Sequence, residues 1–473
     1  MRHDDDLGTP DDLADARARK WPDGGAPLAP APKPTANDMV TEDGAAMEFA
    51  ARYGDKLRYC HDTGAWFNWT GAIWKPERTG LAFHWARELA RRIAQDGTKA
   101  ERNAASKTTF ATGVERFARA DRAFAVTIEN WDADPLLLGT PGGTVDLRTG
   151  ELMRADPTMM ISKSTAVTPA PQADCPRWLA FLDESTGGDA GLIRFLQQWS
   201  GYCLTGETKE HALVFVHGPG GNGKSVFVNA LTGILGDYAT TAGMDTFTAA
   251  HGDRHPTDLA MLRGARLVTA SETEEGRAWA EARIKSLTGG DPITARFMRQ
   301  DFFTYMPSFK LTIVGNHQPA LRSVDDAARR RFNVVPFTRK PAKPDPDLET
   351  TLRNEWPGIL RWMIEGALDW QQAGLVRPDS VRAATADYFD EQDLFAQWLE
   401  DACEIDHDNE WRWETTVDLF ASWAAYARAA GEDPGTTKRF APAMRRQGIS
   451  PKRTKTMRGW AGIRLRKNDA GDG

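Results

Sequence analysis

Thirteen residues near the middle of the chain constrain its fold more than any others: Leu213-Val214-Phe215-Val216-His217-Gly218-Pro219-Gly220-Gly221-Asn222-Gly223-Lys224-Ser225. The first five read as a short buried strand. The rest match G-x-x-x-x-G-K-S, the P-loop pattern. Its glycines allow backbone torsions that a β-carbon blocks, so that N–H groups can curl around phosphate oxygens as a nest. Lys224 is placed to reach the outer phosphates as a solvated charge, and the Ser225 hydroxyl to hold Mg²⁺. From Val226 to Leu235 apolar residues recur at helical spacing, and Gly236 is a natural stop. The loop therefore opens onto a helix N-terminus, which favours anions.

At 473 residues the chain has room for two to four domains. Hydrophobic residues at 41% and charged residues at 26% are the balance of a chain that folds and buries cores. The net charge of −7 carries no global nucleic-acid signature, so charge has to be read locally. No apolar run is as long as a membrane span, and the N-terminus has no apolar signal core. The four cysteines, Cys60, Cys175, Cys203 and Cys403, are far apart and form no CxxC, which excludes a zinc ribbon or a disulfide scaffold. The expectation is a reduced, cytoplasmic protein whose 17 tryptophans serve packing.

Residues 1–45 hold ten acids, five basic residues and six prolines, and read as a disordered tail. A mixed α+β region follows. Ala65 to Trp74 reads as a hairpin turning at Thr70-Gly71. Helices are expected over Leu81–Ala94 and Ser106–Arg119, and turn and strand signals alternate from Thr140 to Gly150. Lys99, Arg102, Lys107, Arg116, Arg119 and Arg122 make the stretch mildly basic, as a solvated helix face or as a DNA contact. Asp132-Ala133-Asp134 has the spacing of a metal-binding carboxylate pair. Pro135 follows at once and breaks the strand such a pair needs, so it is set aside. Helices over Arg177–Asp183 and Leu192–Leu204, parted at Gly187-Gly188, lead into the P-loop strand.

Beyond the P-loop helix, Ala265 to Glu272 is a strand ending in an acid. A carboxylate at such a tip can sit beside Mg²⁺ and polarise an attacking water. Glu272 is the candidate, with Glu274 and Glu275 as rivals. A helix over Ala280–Leu287 precedes two short strands, Ile293–Phe297 and Phe302–Met306, joined at Met298-Arg299-Gln300-Asp301. A hairpin tipped with arginine and flanked by aromatics can hold single-stranded DNA by charge and stacking, or can be an ordinary surface hairpin. Lys310 to Asn316 is another buried strand, and its terminal amide can orient a water at the γ-phosphate. Arg329-Arg330-Arg331 follows, as a solvated run or as the source of a finger on a neighbour's nucleotide. Phe332 to Phe337 completes the sheet.

Taken together, Glu272-Thr273, Leu287-Thr288-Gly289-Gly290-Asp291, Arg296-Phe297, Gly315-Asn316-His317-Gln318-Pro319 and Arg330-Arg331 through Pro336-Phe337 resemble superfamily 3 helicases. Within them the chain is similar to the phage and plasmid primase–helicase group and to the poxvirus primase-helicase, over about Trp66 to Tyr388. The resemblance implies an AAA+ ring, hexameric, that uses ATP to move 3′→5′ along DNA. It implies nucleotide contacts from Gly218, Pro219, Gly220, Gly221, Asn222, Gly223, Lys224, Ser225 and Val226. It makes Ser225 and Glu272 the Mg²⁺ residues, Asn316 the sensor, Arg330 or Arg331 the finger, and Arg296 and Arg299 the pore contacts. The group often carries a primase–polymerase domain upstream, for which this chain has no room. Arg329 stands where the group often has a large apolar residue.

The C-terminal part is expected to hold helices at Trp356–Gln372, Val381–Tyr388, Asp393–Ala402 and Thr415–Ala430. From Lys438 to Lys467 there are eleven Lys and Arg and no acids. Phe440–Arg446 reads as a recognition helix and Gly459–Arg466 as a wing strand, a winged-helix pattern. Its Arg445, Arg446, Lys452, Arg453 and Lys455 suit a phosphate backbone. The whole reading is an α/β chain of four segments: a tail over 1–45, a mixed α+β N-terminal domain over 46–175, an AAA+ P-loop core over 176–345 and a winged-helix-like basic domain over 346–473. It implies ATP and Mg²⁺ as cofactors, single-stranded and forked DNA as partners, a homo-oligomer, a separate primase or polymerase, and no membrane. The alternative is a P-loop initiator that melts an origin without processive unwinding.

Overall fold

The computed structural model describes residues 41–95, 97–249, 257–272, 278–299, 301–319, 321, 326–341, 343–392, 394–406, 409, 411–430, 434–454 and 457–466. Residues 1–40 of the expected tail, the rival acids Glu274 and Glu275, and Lys455 lie outside the described residues, as do the side chains of Glu272 and Arg446. The described chain forms two compact units, 41–69 with 76–128 and 70–75 with 129–466.

The first unit opens on helix α1, Glu42–Tyr53, which starts inside the segment expected to be tail. Its N-cap is Thr41, whose hydroxyl accepts from Gly44 N at 3.0 Å. Strand β1 (Leu57–Cys60) pairs antiparallel with β2 (Ala65–Trp69) and parallel with β3 (Ala125–Val126). Helices α2 (Leu81–Gln95), α3 (Lys99–Ala105) and α4 (Thr108–Ala120) complete the unit. Phe49, Leu57, Trp66, Leu89, Val114 and Phe124 share its core. Of the six basic residues here, Arg119 is half-buried and pairs with Glu115 at 2.9 Å, while the other five are exposed. Glu115 also accepts from Trp66 Nε1 at 2.8 Å, so the buried carboxylate is satisfied.

The second unit begins with an antiparallel meander: β4 (Leu137–Thr140), β5 (Gly143–Asp146) and β6 (Glu151–Met153). Helices α5 (Pro176–Thr186) and α6 (Ala190–Leu204) lead to β7 (Leu213–His217), the P-loop and helix α7 (Lys224–Leu235). Strands β8 (Ala239–Thr241) and β9 (Leu267–Glu272) follow, then helix α8 (Glu281–Thr288) and the hairpin β10 (Ile293–Ala295) and β11 (Phe303–Tyr305). Next come β12 (Lys310–Gly315), helix α9 (Asp326–Arg331) and β13 (Phe332–Pro336). The central sheet has the order β13-β7-β12-β9-β8, and every pairing is parallel.

Both faces of this sheet are covered, which explains why its strands read as nearly continuous apolar runs. Val214, Val216, Leu267, Val314 and Val335 pack against α5, α6 and α7. Leu213, Phe215, Val268, Ala270, Ile313 and Val334 face the other way, against Trp279, Ile284 and Tyr388.

Helix α10 (Leu348–Ala373) belongs to the first of these cores: Leu352, Ile359, Trp362, Met363 and Trp370 are buried with the P-loop helix. It crosses α6 closely enough that a β-carbon on Gly201 would strike Ala367 N, and one on Gly366 would strike Gln197 O. The division expected at 345/346 therefore cuts α10 from the core it fills. Helix α11 (Asp379–Gln392) packs on the other face through Tyr388 and Phe389. The division expected at 175/176 is likewise displaced, since residues 129–175 group with the P-loop unit. One reason is Arg266, whose guanidinium spans Leu204 O at 2.5 Å and Leu137 O at 2.7 Å and so ties the meander to the sheet.

A smaller core gathers Trp398, Leu419, Phe440, Met444, Trp460 and Ile463 near the C-terminus. Its elements are α12 (Leu394–Ala402), β14 (Cys403–Ile405), β15 (Trp413–Thr415), α13 (Thr416–Ala429), α14 (Thr437–Arg446), β16 (Ser450–Arg453), β17 (Arg458–Ala461) and β18 (Ile463–Leu465). The single strand expected over Gly459–Arg466 is two strands. Gly462 sits between them at φ 73°, and β17 pairs with β15 and β16 while β18 pairs with β14. Among the described residues no helix is long and apolar enough to cross a membrane.

Candidate functional site

The P-loop follows the predicted order of strand, loop and helix. Gly218, Gly221 and Gly223 have φ of 153°, 78° and 87°, conformations that L side chains rarely adopt. A β-carbon on Gly223 would come within 2.6 Å of the Phe181 ring and 3.0 Å of Ser185 Oγ, so α5 holds the loop from behind.

Asn222 is 1% exposed. Its Nδ2 donates to Phe337 O and its Oδ1 accepts from Lys224 Nζ at 3.0 Å. Lys224 Nζ also donates to Gly218 O at 2.6 Å and Pro219 O at 2.9 Å. The lysine is 5% exposed, so it is not the solvated charge expected from the sequence. Burial holds its ammonium below the usual lysine range.

Opposite the loop, β9 and β12 run in register, with Ser271 beside Val314 and Glu272 beside Gly315. The P-loop, Glu272 and Asn316 thus stand at the C-terminal ends of three adjacent parallel strands, β7, β12 and β9. A cleft of about 360 Å³ is lined by Gly220 through Val226, Ser271, Val314, Gly315 and Asn316. Ser271 was not foreseen as part of it; the signal available was its place one residue before the strand-end acid. The cleft offers hydroxyl, amide and backbone oxygens. That is the hard donor set Mg²⁺ accepts when phosphates supply further oxygens. Among the described residues there is no group of three or more His, Cys, Asp or Glu able to hold a metal.

The three consecutive arginines have different environments. Arg329 pairs with Asp390 at 3.2 Å and lies 5.0 Å over the Phe389 ring. Arg331 is half-buried and donates to Ala327 O at 2.9 Å. Arg330 is exposed, with Nε 3.2 Å from Asp326 O on its own helix.

In the hairpin, Ile293 pairs with Tyr305 and Ala295 with Phe303. Arg296 is half-buried, its guanidinium 4.6 Å over the Phe302 ring. Arg299 is exposed at φ 62°, an uncommon setting for a residue with a β-carbon. Met298 and Phe302 beside it are 69% and 60% exposed.

At the C-terminal module, Arg445 is exposed on α14, and Lys452 is half-buried on β16. Arg453 lies directly across from Arg458, both exposed. Like charges at one cross-strand position repel, a cost that a bound anion would offset. Arg458 was missed because no single-strand pattern pairs it with Arg453.

Asp132 and Asp134 serve structure. Asp132 accepts from Ser162 N at 2.9 Å and from the Ser162 hydroxyl, and Asp134 holds Arg148 at 2.8 Å.

A parallel sheet with a glycine-rich loop between strand and helix, and with an acid and an amide at the ends of two further strands, is a P-loop architecture. Residues 46–187 match the family described as D5 N terminal like, and residues 216–331 match a family of unknown function, DUF5906. The helicase-named L207/L206 protein of Acanthamoeba polyphaga mimivirus is 25% identical over 321 residues, 63% of this chain and 33% of the mimivirus protein. The helicase-named 022R protein of Frog virus 3 is 26% identical over 284 residues, 55% of this chain and 29% of its own length. These matches support a likeness to the D5-like primase–helicase family. The chain spans about a third of the length of these curated relatives. The apo structure of the NrS-1 C-terminal region shares the fold, with a TM-score of 0.51 over 89% of this chain and 99% of that one at 11% identity.

Proposed function

We propose that the chain is an ATP-dependent DNA helicase of superfamily 3 that serves phage or plasmid replication in the cytoplasm of a bacterial host. The observation that carries this is the convergence of the P-loop, Glu272 and Asn316 on adjacent strand ends of a sheet ordered β13-β7-β12-β9-β8. That order, with the acid strand and the P-loop strand separated by the strand bearing the amide, is what an AAA+ core would use. Lys224 and Ser225 would hold the phosphates and Mg²⁺. When bound, the metal would neutralise charge developing between the outer phosphates. Glu272 would take the attacking water's proton, and Asn316 would orient that water.

A ring explains Arg330. It is the exposed member of its triplet, and the contacts of Arg329 leave that residue committed to α11. In a hexamer Arg330, or Arg331 beside it, would reach a neighbour's nucleotide. Arg299 and Arg296 would meet single-stranded DNA in the channel, with translocation 3′→5′. The C-terminal module, read as a winged helix, would bind duplex through Arg445, Arg446, Lys452, Arg453 and Lys455, and a separate primase or polymerase would act beside it.

The test is electron microscopy with an ATP analogue and forked DNA, paired with strand displacement on duplexes of increasing length. A closed ring around one strand with displacement of long duplexes is expected. Failure to unwind despite ATP hydrolysis would favour the second reading, an initiator that melts an origin, which the paired Arg453 and Arg458 support.

A further inference from the structure

Along β9 the side chains alternate between the two faces of the sheet. Val268 and Ala270 are buried with Trp279 and Ile284. Leu267 is buried on the other side, with Phe227, Leu231 and Ile234 of α7. Thr269 and Ser271 continue Leu267's row. The in-register partner of Ser271, Val314, also packs in the α7 core, as parallel pairing on one face requires. Thr269 is buried and Ser271 is exposed, so the row ends in a hydroxyl that opens on the cleft. The same cleft is lined by Ser225, the second residue of α7.

In P-loop enzymes the metal is held by the loop's Ser or Thr and by an aspartate of the strand that carries the acid, here β9. Here the residue that faces the P-loop helix from that strand is a neutral serine. Resting on the nucleotide-site reading above, we propose that Ser271 is a metal-positioning residue: its hydroxyl holds a water of the nucleotide-bound Mg²⁺ opposite Ser225. Mg²⁺ sheds water reluctantly and commonly keeps several, so a short hydroxyl at this place is suited to the water shell. A neutral residue also subtracts one negative charge from the protein's share. The nucleotide's phosphates must then supply more of it, and the metal binds with the nucleotide and not before it.

The experiment uses the full chain with Mn²⁺ in place of Mg²⁺. Electron paramagnetic resonance reads bound metal with and without ADP, and ADP affinity in EDTA serves as the metal-free control. The wild type should take up Mn²⁺ only with ADP. Ser271→Ala should weaken Mn²⁺ in the ADP complex on the order of tenfold while leaving metal-free ADP affinity unchanged. Ser271→Thr, which keeps the hydroxyl, should restore it, and Ser271→Asp should bind Mn²⁺ without ADP. Wild-type Mn²⁺ affinity in Ser271→Ala would overturn the proposal and leave the nucleotide site standing. A wild type that does not bind ADP at all would overturn the nucleotide site, and this proposal with it.

Discussion

Asn222 clamps Lys224: its Oδ1 accepts from the lysine Nζ at 3.0 Å while its Nδ2 is held by Phe337 O, just past the end of β13. The P-loop lysine is thus positioned from the edge strand, through one amide. Asn222→Ala leaves Phe337 O and part of the ammonium's shell unpaired, a cost of about 1–3 kcal/mol. The variant is expected to melt lower and to need more ATP for half-maximal hydrolysis. Lys224→Ala should abolish nucleotide binding outright. Calorimetry of both variants with and without nucleotide checks this. Wild-type ATP affinity in Asn222→Ala would remove the clamp from the account.

Arg330→Ala subunits mixed with Lys224→Ala subunits should recover part of the hydrolysis that each lacks alone, because some interfaces then join an intact loop to an intact finger. A finger is worth about 10³–10⁵ in rate where it has been measured. Steady-state ATPase over a range of mixing ratios, with mixed rings confirmed by mass, is the measurement. Activity that never exceeds the sum of the two separate variants would place the finger elsewhere.

For the hairpin, Arg299 is the exposed tip while Arg296 is engaged with Phe302. Arg299→Ala should leave basal ATPase near wild type, reduce its stimulation by single-stranded DNA, and strongly impair unwinding. Arg296→Ala should lower hairpin stability as well, since the guanidinium–ring contact is worth about 0.5–1 kcal/mol at an exposed site. If both variants displace a forked strand at the wild-type rate, the hairpin does not grip DNA.

Removing the positive charges of Arg445, Arg453 and Arg458 should weaken duplex binding across all sequences. Each lost phosphate contact should reduce the slope of log K against log salt by about 0.9. Fluorescence anisotropy between low and moderate salt reads the slope. An unchanged slope in the triple variant would leave this face without a role in duplex binding.

Lys310 sets a pH dependence. It is buried at the start of β12 and donates to Thr205 O, Glu207 O and Ser308 O, and burial lowers its pKa from the ordinary 10.5 to about 7. Between those values the unfolded chain binds a proton that the native chain does not, so stability rises with pH across this window. Below pH about 7 both states are protonated and the contribution stops changing. Thermal melts from pH 6.5 to pH 9.5, approximate limits set by that window, should show the rise in wild type and its loss in Lys310→Met. Parallel curves for the two proteins would mean the ammonium stays charged throughout.

Much of the sheet was legible because its signals are local. A strand of apolar residues, a glycine run and a Lys-Ser pair specify strand, phosphate loop and helix within thirteen residues. Glu272, Asn316 and the hairpin were found the same way, from strand ends and turn residues. Short elements with weak periodicity escaped: α1 inside the presumed tail, α3 with its seven residues, and three-residue β8.

By itself, then, the sequence determined that this chain builds a phosphate loop at the end of a buried strand and carries an acid and an amide on later strand tips. Backbone torsion and side-chain alternation are properties of neighbouring residues, and that is why these features could be read. Only the tertiary structure decided that Lys224 is buried and held by Asn222, that Arg329 is taken up by Asp390 while Arg330 is displayed, and that α10 fills the P-loop core. It also decided that Ser271 is the hydroxyl facing α7. Each of these depends on which distant segments share a face of the sheet, and burial and pairing across such distances leave no periodic mark in the chain.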